Sequence, residues 1–187
     1  SLYYVPLGKS HEVWSLSVTN RSDRERELTL TGYGEFTNHN NYEQDQVNLQ
    51  YSLFITRTLY EGNRIMQQIH GNLDALPSKE EVDGKNVTER FFGLAGAPVS
   101  SYCGDKSLFL GAYRGYGNPV GITSGDLGNT VSYNENSCGA LSCRISLQPG
   151  ETKTVVFLLG MKSSSEAEEL ICSYHTPHRA VEEELAV

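Results

Sequence analysis

The run Leu147-Gln148-Pro149-Gly150-Glu151-Thr152-Lys153-Thr154-Val155-Val156-Phe157-Leu158-Leu159 decides the fold class. Within Gln148-Pro149-Gly150-Glu151, proline presets φ and glycine closes a tight turn, so the chain reverses there. The segments it joins, Gly139 to Leu147 and Thr154 to Leu159, read as strands. The second is a continuous apolar run, the pattern of a central strand.

Working outward, the same character persists. Trp14, Leu16 and Val18 alternate with Ser15, Ser17 and Thr19, the period-two signature of a half-buried strand. Asn20-Arg21-Ser22-Asp23 is turn chemistry, because short polar side chains bond their own backbone. Leu28, Leu30, Gly32, Gly34 and Phe36 line one face of the next strand, and these two strands are expected to pair antiparallel. Tyr51, Leu53 and Ile55 alternate again. Gly62-Asn63 turns the chain into Arg64 to His70, with glycine supplying a positive φ at little cost. Gly71 to Thr88 is polar, holds Pro77 and Gly84 and has no period, so it reads as a surface loop or insertion. Strand-like runs return at Arg90 to Leu94 and Leu108 to Tyr113.

Only the tail changes. Ser163 precedes Glu166, Glu168 and Glu169, a helix cap followed by carboxylates in the positive first turn. Pro177 interrupts that helix, and Arg179 to Val187 restarts one with proline at its opening. No internal repeat is visible. The prediction is an all-β chain: an antiparallel β-sandwich over residues 1–162, followed over 163–187 by a short C-terminal helical linker.

Composition narrows the function classes. The chain has 187 residues, and 23 acidic against 15 basic side chains leave a net charge of −8. A chain of this size can bury roughly 70% of its unfolded surface, enough for one core. The acidic balance argues against a binder of phosphate backbones, which would carry a basic face. No apolar run approaches about 20 residues, so no membrane span is expected. Cys103, Cys138, Cys143 and Cys172 give neither a disulfide framework nor a zinc spacing, and reduced thiols in a cytoplasmic protein are expected. No metal or cofactor is expected. The chain opens Ser1-Leu2 without methionine or a signal-peptide pattern, and is expected to derive from something longer.

No GxSxG, GxxxxGK[ST] or HExxH pattern occurs. The richest polar segment, Asn38 to Tyr51, combines amides, aromatics and carboxylates, which suits sugar hydroxyls and pyranose faces. A solvated loop has the same composition. His39 could serve as general base or metal ligand, or as an ordinary hydrogen-bonding histidine. Glu35 and Glu43 could form an acid/base pair. Glu35, beside Phe36 in a strand, reads better as a structural carboxylate that accepts backbone or arginine bonds.

Ordered motifs go beyond these generic features. Val5-Pro6-Leu7-Gly8, Glu12-Val13-Trp14, Thr19-Asn20-Arg21-Ser22-Asp23, Arg26-Glu27-Leu28 and Gly34-Glu35-Phe36 come first. Phe109-Leu110-Gly111-Ala112-Tyr113, Asn118-Pro119, Cys138-Gly139-Ala140-Leu141, Leu147 to Lys153 and Val156-Phe157-Leu158-Leu159-Gly160 follow. This series resembles the N-terminal super-sandwich domain of the glycoside hydrolase family 94 phosphorylases, once called glycosyltransferase family 36. The family includes cellobiose, cellodextrin, cellobionic acid and chitobiose phosphorylases.

The resemblance implies a sandwich joined by a helical linker to a catalytic (α/α)6 barrel, with inorganic phosphate as co-substrate and a homodimeric assembly. The general acid belongs to the barrel, so no catalytic residue is expected in this chain. The implied substrate is a β-linked glucose disaccharide or oligosaccharide. The family's acceptor-sugar glutamine carries over to Gln50, within Asn48-Leu49-Gln50-Tyr51-Ser52. Tyr51 stands where cellobiose phosphorylases have arginine, and Asn38-His39-Asn40-Asn41 replaces their Trp-Asn-Ala run. Both departures argue against strict cellobiose specificity and suit a longer acceptor with an aromatic platform at Tyr51. His39, Asn48, Gln50 and Tyr51 are thus the candidate sugar contacts. The alternative is a free-standing carbohydrate-binding module without catalysis.

Overall fold

The structure, a computed structural model, describes residues 1–36, 56–69 and 88–186. Nine strands are formed among these: β1 (Leu2–Tyr4), β2 (His11–Thr19), β3 (Arg26–Glu35), β4 (Thr56–Glu61), β5 (Arg64–Ile69), β6 (Thr88–Ala95), β7 (Val99–Asp105), β8 (Ser137–Leu147) and β9 (Thr152–Met161). Two short helices, α1 (Lys106–Leu110) and α2 (Val120–Thr123), interrupt the path from β7 to β8, and α3 (Ser164–Ser173) and α4 (Pro177–Leu185) follow β9. The strands form a six-stranded sheet, β1-β2-β9-β6-β5-β4, and a three-stranded sheet, β3-β8-β7. All the strand pairings are antiparallel, so the all-β sandwich expected from the sequence is present.

The apolar run in β9 has a direct cause. Val155 and Phe157 point between the sheets, where they meet Phe92, Leu94, Leu141 and Leu147. Val156 and Leu158 point to the opposite face, where Ala167 and Ile171 of α3 and Val181 of α4 cover them. A strand covered on both faces has no position left for an exposed polar side chain. Each fully buried aliphatic or aromatic side chain contributes about 1.5–3 kcal/mol relative to exposure. Gly32 of β3 lies so close to Phe157 that a Cβ there would sit 2.5 Å from the ring. The sheets approach through that gap.

Gly62-Asn63 makes the expected hairpin between β4 and β5. The expected pairing of β2 with β3 is wrong: β2 lies beside β9, and β3 pairs with β8 in the other sheet. Asn20 explains the crossing. Its amide donates to the carbonyls of Arg24 (2.8 Å) and Leu147 (2.9 Å), and its backbone N–H donates to Glu151 (2.9 Å). The turn residues therefore clamp the chain to the neighbouring β8–β9 connection, which also passes between the sheets, instead of folding it back on β2.

Leu108 to Tyr113 is likewise not a strand. Asp105 ends β7 and accepts from the Leu108 N–H at 3.0 Å, so the chain enters α1, where Phe109 alone is buried. The predicted C-terminal helices both form. At α3 the Ser163 N–H donates to the Glu166 carboxylate at 3.0 Å while Ser163 Oγ accepts from the Glu166 N–H, a complete capping box. Pro177 opens α4. Among the described residues no helix is long and apolar enough to cross a membrane.

Candidate functional site

Strand β3 ends at Glu35, which is exposed, and the following Phe36 is buried. Two elements distant in sequence converge on the Glu35 carboxylate. The Tyr33 hydroxyl donates to it at 2.9 Å, the Tyr116 hydroxyl donates to the same oxygen, and Lys106 Nζ sits 2.9 Å from the other oxygen. Lys106 also lies 5.5 Å from the Tyr116 ring centroid, in cation–π range. Tyr33 stacks on Phe109 of α1 with centroids 4.3 Å apart and meets Tyr116 edge-on at 6.2 Å.

Partial burial pushes the Glu35 carboxyl up, but the bonds from Tyr116, Lys106 and Tyr33 outweigh it and hold the group below the ordinary carboxylate range. An ionised carboxylate of this kind does not serve as a general acid at neutral pH. Its partner in the acid/base reading, Glu43, lies outside the described residues. The structural reading survives with tyrosine and lysine as partners in place of arginine. What the cluster offers chemically is a half-exposed aromatic surface edged by an anion and a cation.

His39, Asn48, Gln50 and Tyr51 lie outside the described residues, as does Glu43. So does the predicted strand through Tyr51, Leu53 and Ile55, together with the expected loop up to residue 87. Sequence reasoning missed Tyr33, Lys106 and Tyr116, because Lys106 and Tyr116 are separated from Glu35 by 71 and 81 positions. The one available signal was the density of glycine and tyrosine between Gly111 and Gly117.

The remaining polar clusters are structural. Arg64, itself buried, donates to Ser164 Oγ at 2.8 Å and pairs with Glu61 (3.3 Å) and Glu168 (3.4 Å), tying α3 to β5. Glu184 of α4 accepts from the hydroxyls of Tyr4 and Tyr174, each at 2.7 Å, and Tyr174 in turn lies 3.4 Å from His11 Nε2. The thiols of Cys103, Cys138 and Cys143 are buried and Cys172 is exposed, all four free. Burial pushes Cys143 up to about 11. Its neighbour Cys103 and desolvation together keep Cys138 protonated. Among the described residues no three histidine, cysteine or acidic side chains converge as a metal site would require.

The model of one protein family, described as the glycosyl hydrolase 94 supersandwich domain, matches residues 1–177. The chain belongs to this family. Relatives of the supersandwich domain here include an N,N'-diacetylchitobiose phosphorylase of Vibrio furnissii, 30% identical over 158 residues, which cover 84% of this chain and 18% of that protein. A protein of the same description from Vibrio proteolyticus is 30% identical over 159 residues, again 84% of this chain and 18% of the relative. A solabiose phosphorylase of Paenibacillus borealis is 28% identical over 186 residues, 94% of this chain and 21% of the relative. The chain thus spans about a fifth of the length of the curated relatives it matches. Within the supersandwich domain, the motif Gly34-Glu35-Phe36 is the point where β3 hands the chain to residues 37–55, which include Asn38 to Tyr51, the segment singled out for sugar chemistry.

Proposed function

We propose that this supersandwich domain serves an inverting glycoside phosphorylase, which converts a β-linked glucose disaccharide or oligosaccharide and inorganic phosphate into α-glucose 1-phosphate and a shortened sugar. The supporting observation is the family match over nearly the whole chain, joined to relatives that are themselves phosphorylases. In this reading residues 1–162 form the sandwich and 163–187 open the connection to a catalytic barrel. The barrel supplies the one carboxylic acid that protonates the glycosidic oxygen. Phosphate attacks the anomeric carbon from the opposite face, so no enzyme nucleophile and no cofactor are required. The protein works as a cytoplasmic homodimer.

The domain's own part is recognition of the departing sugar. Gln50 is the main contact, since an amide donates and accepts at once and matches adjacent hydroxyls. Asn48 and His39 add hydrogen bonds, and Tyr51 adds a flat face that favours acceptors longer than cellobiose. Incubating the full-length protein with phosphate and cellobiose, cellotriose or N,N'-diacetylchitobiose tests the reaction. Release of glucose 1-phosphate is expected. Release of the N-acetylglucosamine ester alone would change the sugar, and release of neither ester would refute the phosphorylase reading. Gln50→Ala is expected to raise the acceptor-side KM about tenfold, which corresponds to 1.4 kcal/mol, with phosphate affinity unchanged.

A further inference from the structure

Three non-glycine residues among those described have a positive φ: Asn129, Asn134 and Tyr113. Asparagine tolerates the left-handed region because its short side chain bonds locally. Tyrosine has no such excuse. Tyr113, at φ 60°, stands third in a turn closed by the Arg114 N–H on the Gly111 carbonyl (3.3 Å), a position that suits glycine or asparagine. Its relative exposure is 108%, so the ring packs against none of the described residues. Neither backbone preference nor core packing accounts for a bulky aromatic here, and strain of this kind points to a role outside the fold.

The connection that carries it is anchored at three points. Arg114 donates to Thr123 Oγ1 at 2.9 Å, Tyr116 is tied to Glu35, and Gly121 packs under Phe109 and Leu127. Tyr116 is itself 60% exposed. Counted over the described residues, the polar groups beside it retain capacity. A carboxylate has about four acceptor sites, of which Tyr33, Tyr116 and Lys106 occupy three, and an ammonium has three donors, of which Glu35 takes one. Exposed aromatic faces with spare donors and acceptors at their edge match a pyranose, whose C–H face stacks while its hydroxyls bond outward.

We propose that Tyr113, with Tyr116, Lys106 and Glu35, forms a carbohydrate-stacking subsite on the β7–β8 excursion that takes a β-linked pyranose unit. The substrate class rests on the phosphorylase reading above.

Tyr113→Gly in the full-length protein separates this role from a structural one. The sugar KM for cellotetraose is expected to rise about tenfold with phosphate KM unchanged, while the thermal unfolding midpoint rises because glycine relieves the positive φ. Tyr113→Phe keeps the ring and is expected to hold the sugar KM within about twofold of the parent. An unchanged sugar KM in Tyr113→Gly overturns the proposal, and so does a shift in self-association in its place, which would make Tyr113 a protein contact. Should the parent protein turn over no sugar, the phosphorylase reading fails alone, and calorimetric titration with cellotetraose decides the subsite. Weaker binding by Tyr113→Gly then supports it; equal binding, or no binding to the parent, overturns it.

Discussion

Helices are added to this sandwich at two places, and they do opposite things. Those after β9 lie on the outer face of the six-stranded sheet and bury Ala167, Ile171, Tyr174 and Val181 against Val13, Met66, Phe91 and Leu158. Those between β7 and β8 bury Phe109 but leave Leu108 and Ile122 exposed, as are Tyr113 and Tyr116 in the turns that join them. The first pair closes a core. The second presents side chains. The contrast separates the helices that close the core from the excursion on which the carbohydrate subsite is proposed.

The strongest challenge to that contrast is Phe91→Ala. Phe91 is fully buried under α3, and its loss is expected to lower stability by about 3–5 kcal/mol in urea denaturation. Leu108→Ala, at a residue 55% exposed on α1, is expected to change it by no more than about 0.5 kcal/mol. Equal losses would show that the β7–β8 excursion is as much core as α3, and the division would fail.

The same contrast explains what was legible in the sequence. Local patterns survived: the Gly62-Asn63 hairpin, the turn at Pro149-Gly150, the cap at Ser163 and the apolar run of β9 are all written in residues close in sequence. The β2–β3 pairing did not survive, since Asn20 reaches Leu147, and nothing in Asn20-Arg21-Ser22-Asp23 announces that partner. The run Leu108-Phe109-Leu110 misled for a related reason. Its apolar content mimics a strand, while the deciding contact is the Asp105 carboxylate on a backbone N–H three residues on. The Glu35 cluster was illegible because Lys106 and Tyr116 arrive from another strand connection altogether.

Acid sensitivity sharpens the comparison from the helical side. His11 is buried beneath α4, with Tyr174 at 3.4 Å and an Nδ1 that has no partner among the described residues. Burial lowers its pKa below 6.5; Glu184 opposes that shift, and Lys162 and Lys9 add to it. The unfolded chain therefore takes up a proton at His11 that the folded one refuses. Stability is fully present above about pH 6.5 and is lost as pH falls through that value toward the folded pKa. Denaturation midpoints measured at pH 7.5 and 5.5 are expected to fall more steeply for the parent than for His11→Asn. Equal slopes would mean that the α4 end carries no acid-labile contact.

The smallest expected effect comes from Ser163→Ala. The substitution removes the Oγ that accepts from the Glu166 N–H, and leaves the Glu166 carboxylate bonded to the backbone of residue 163. One orphan donor of the first turn is then exposed to water, a loss of about 1 kcal/mol in urea denaturation. The effect stays small because α3 is held from its other side: Ile171 is buried in the core, and Arg64 reaches both Ser164 and Glu168 from β5. A loss as large as that of Phe91→Ala would mean that docking of α3 depends on its first turn and not on its buried face. Sugar KM is expected to stay at the parent value, since the substitution touches the core-closing helix and not the β7–β8 excursion. A rise in KM with this variant would join the two halves that the fold keeps apart.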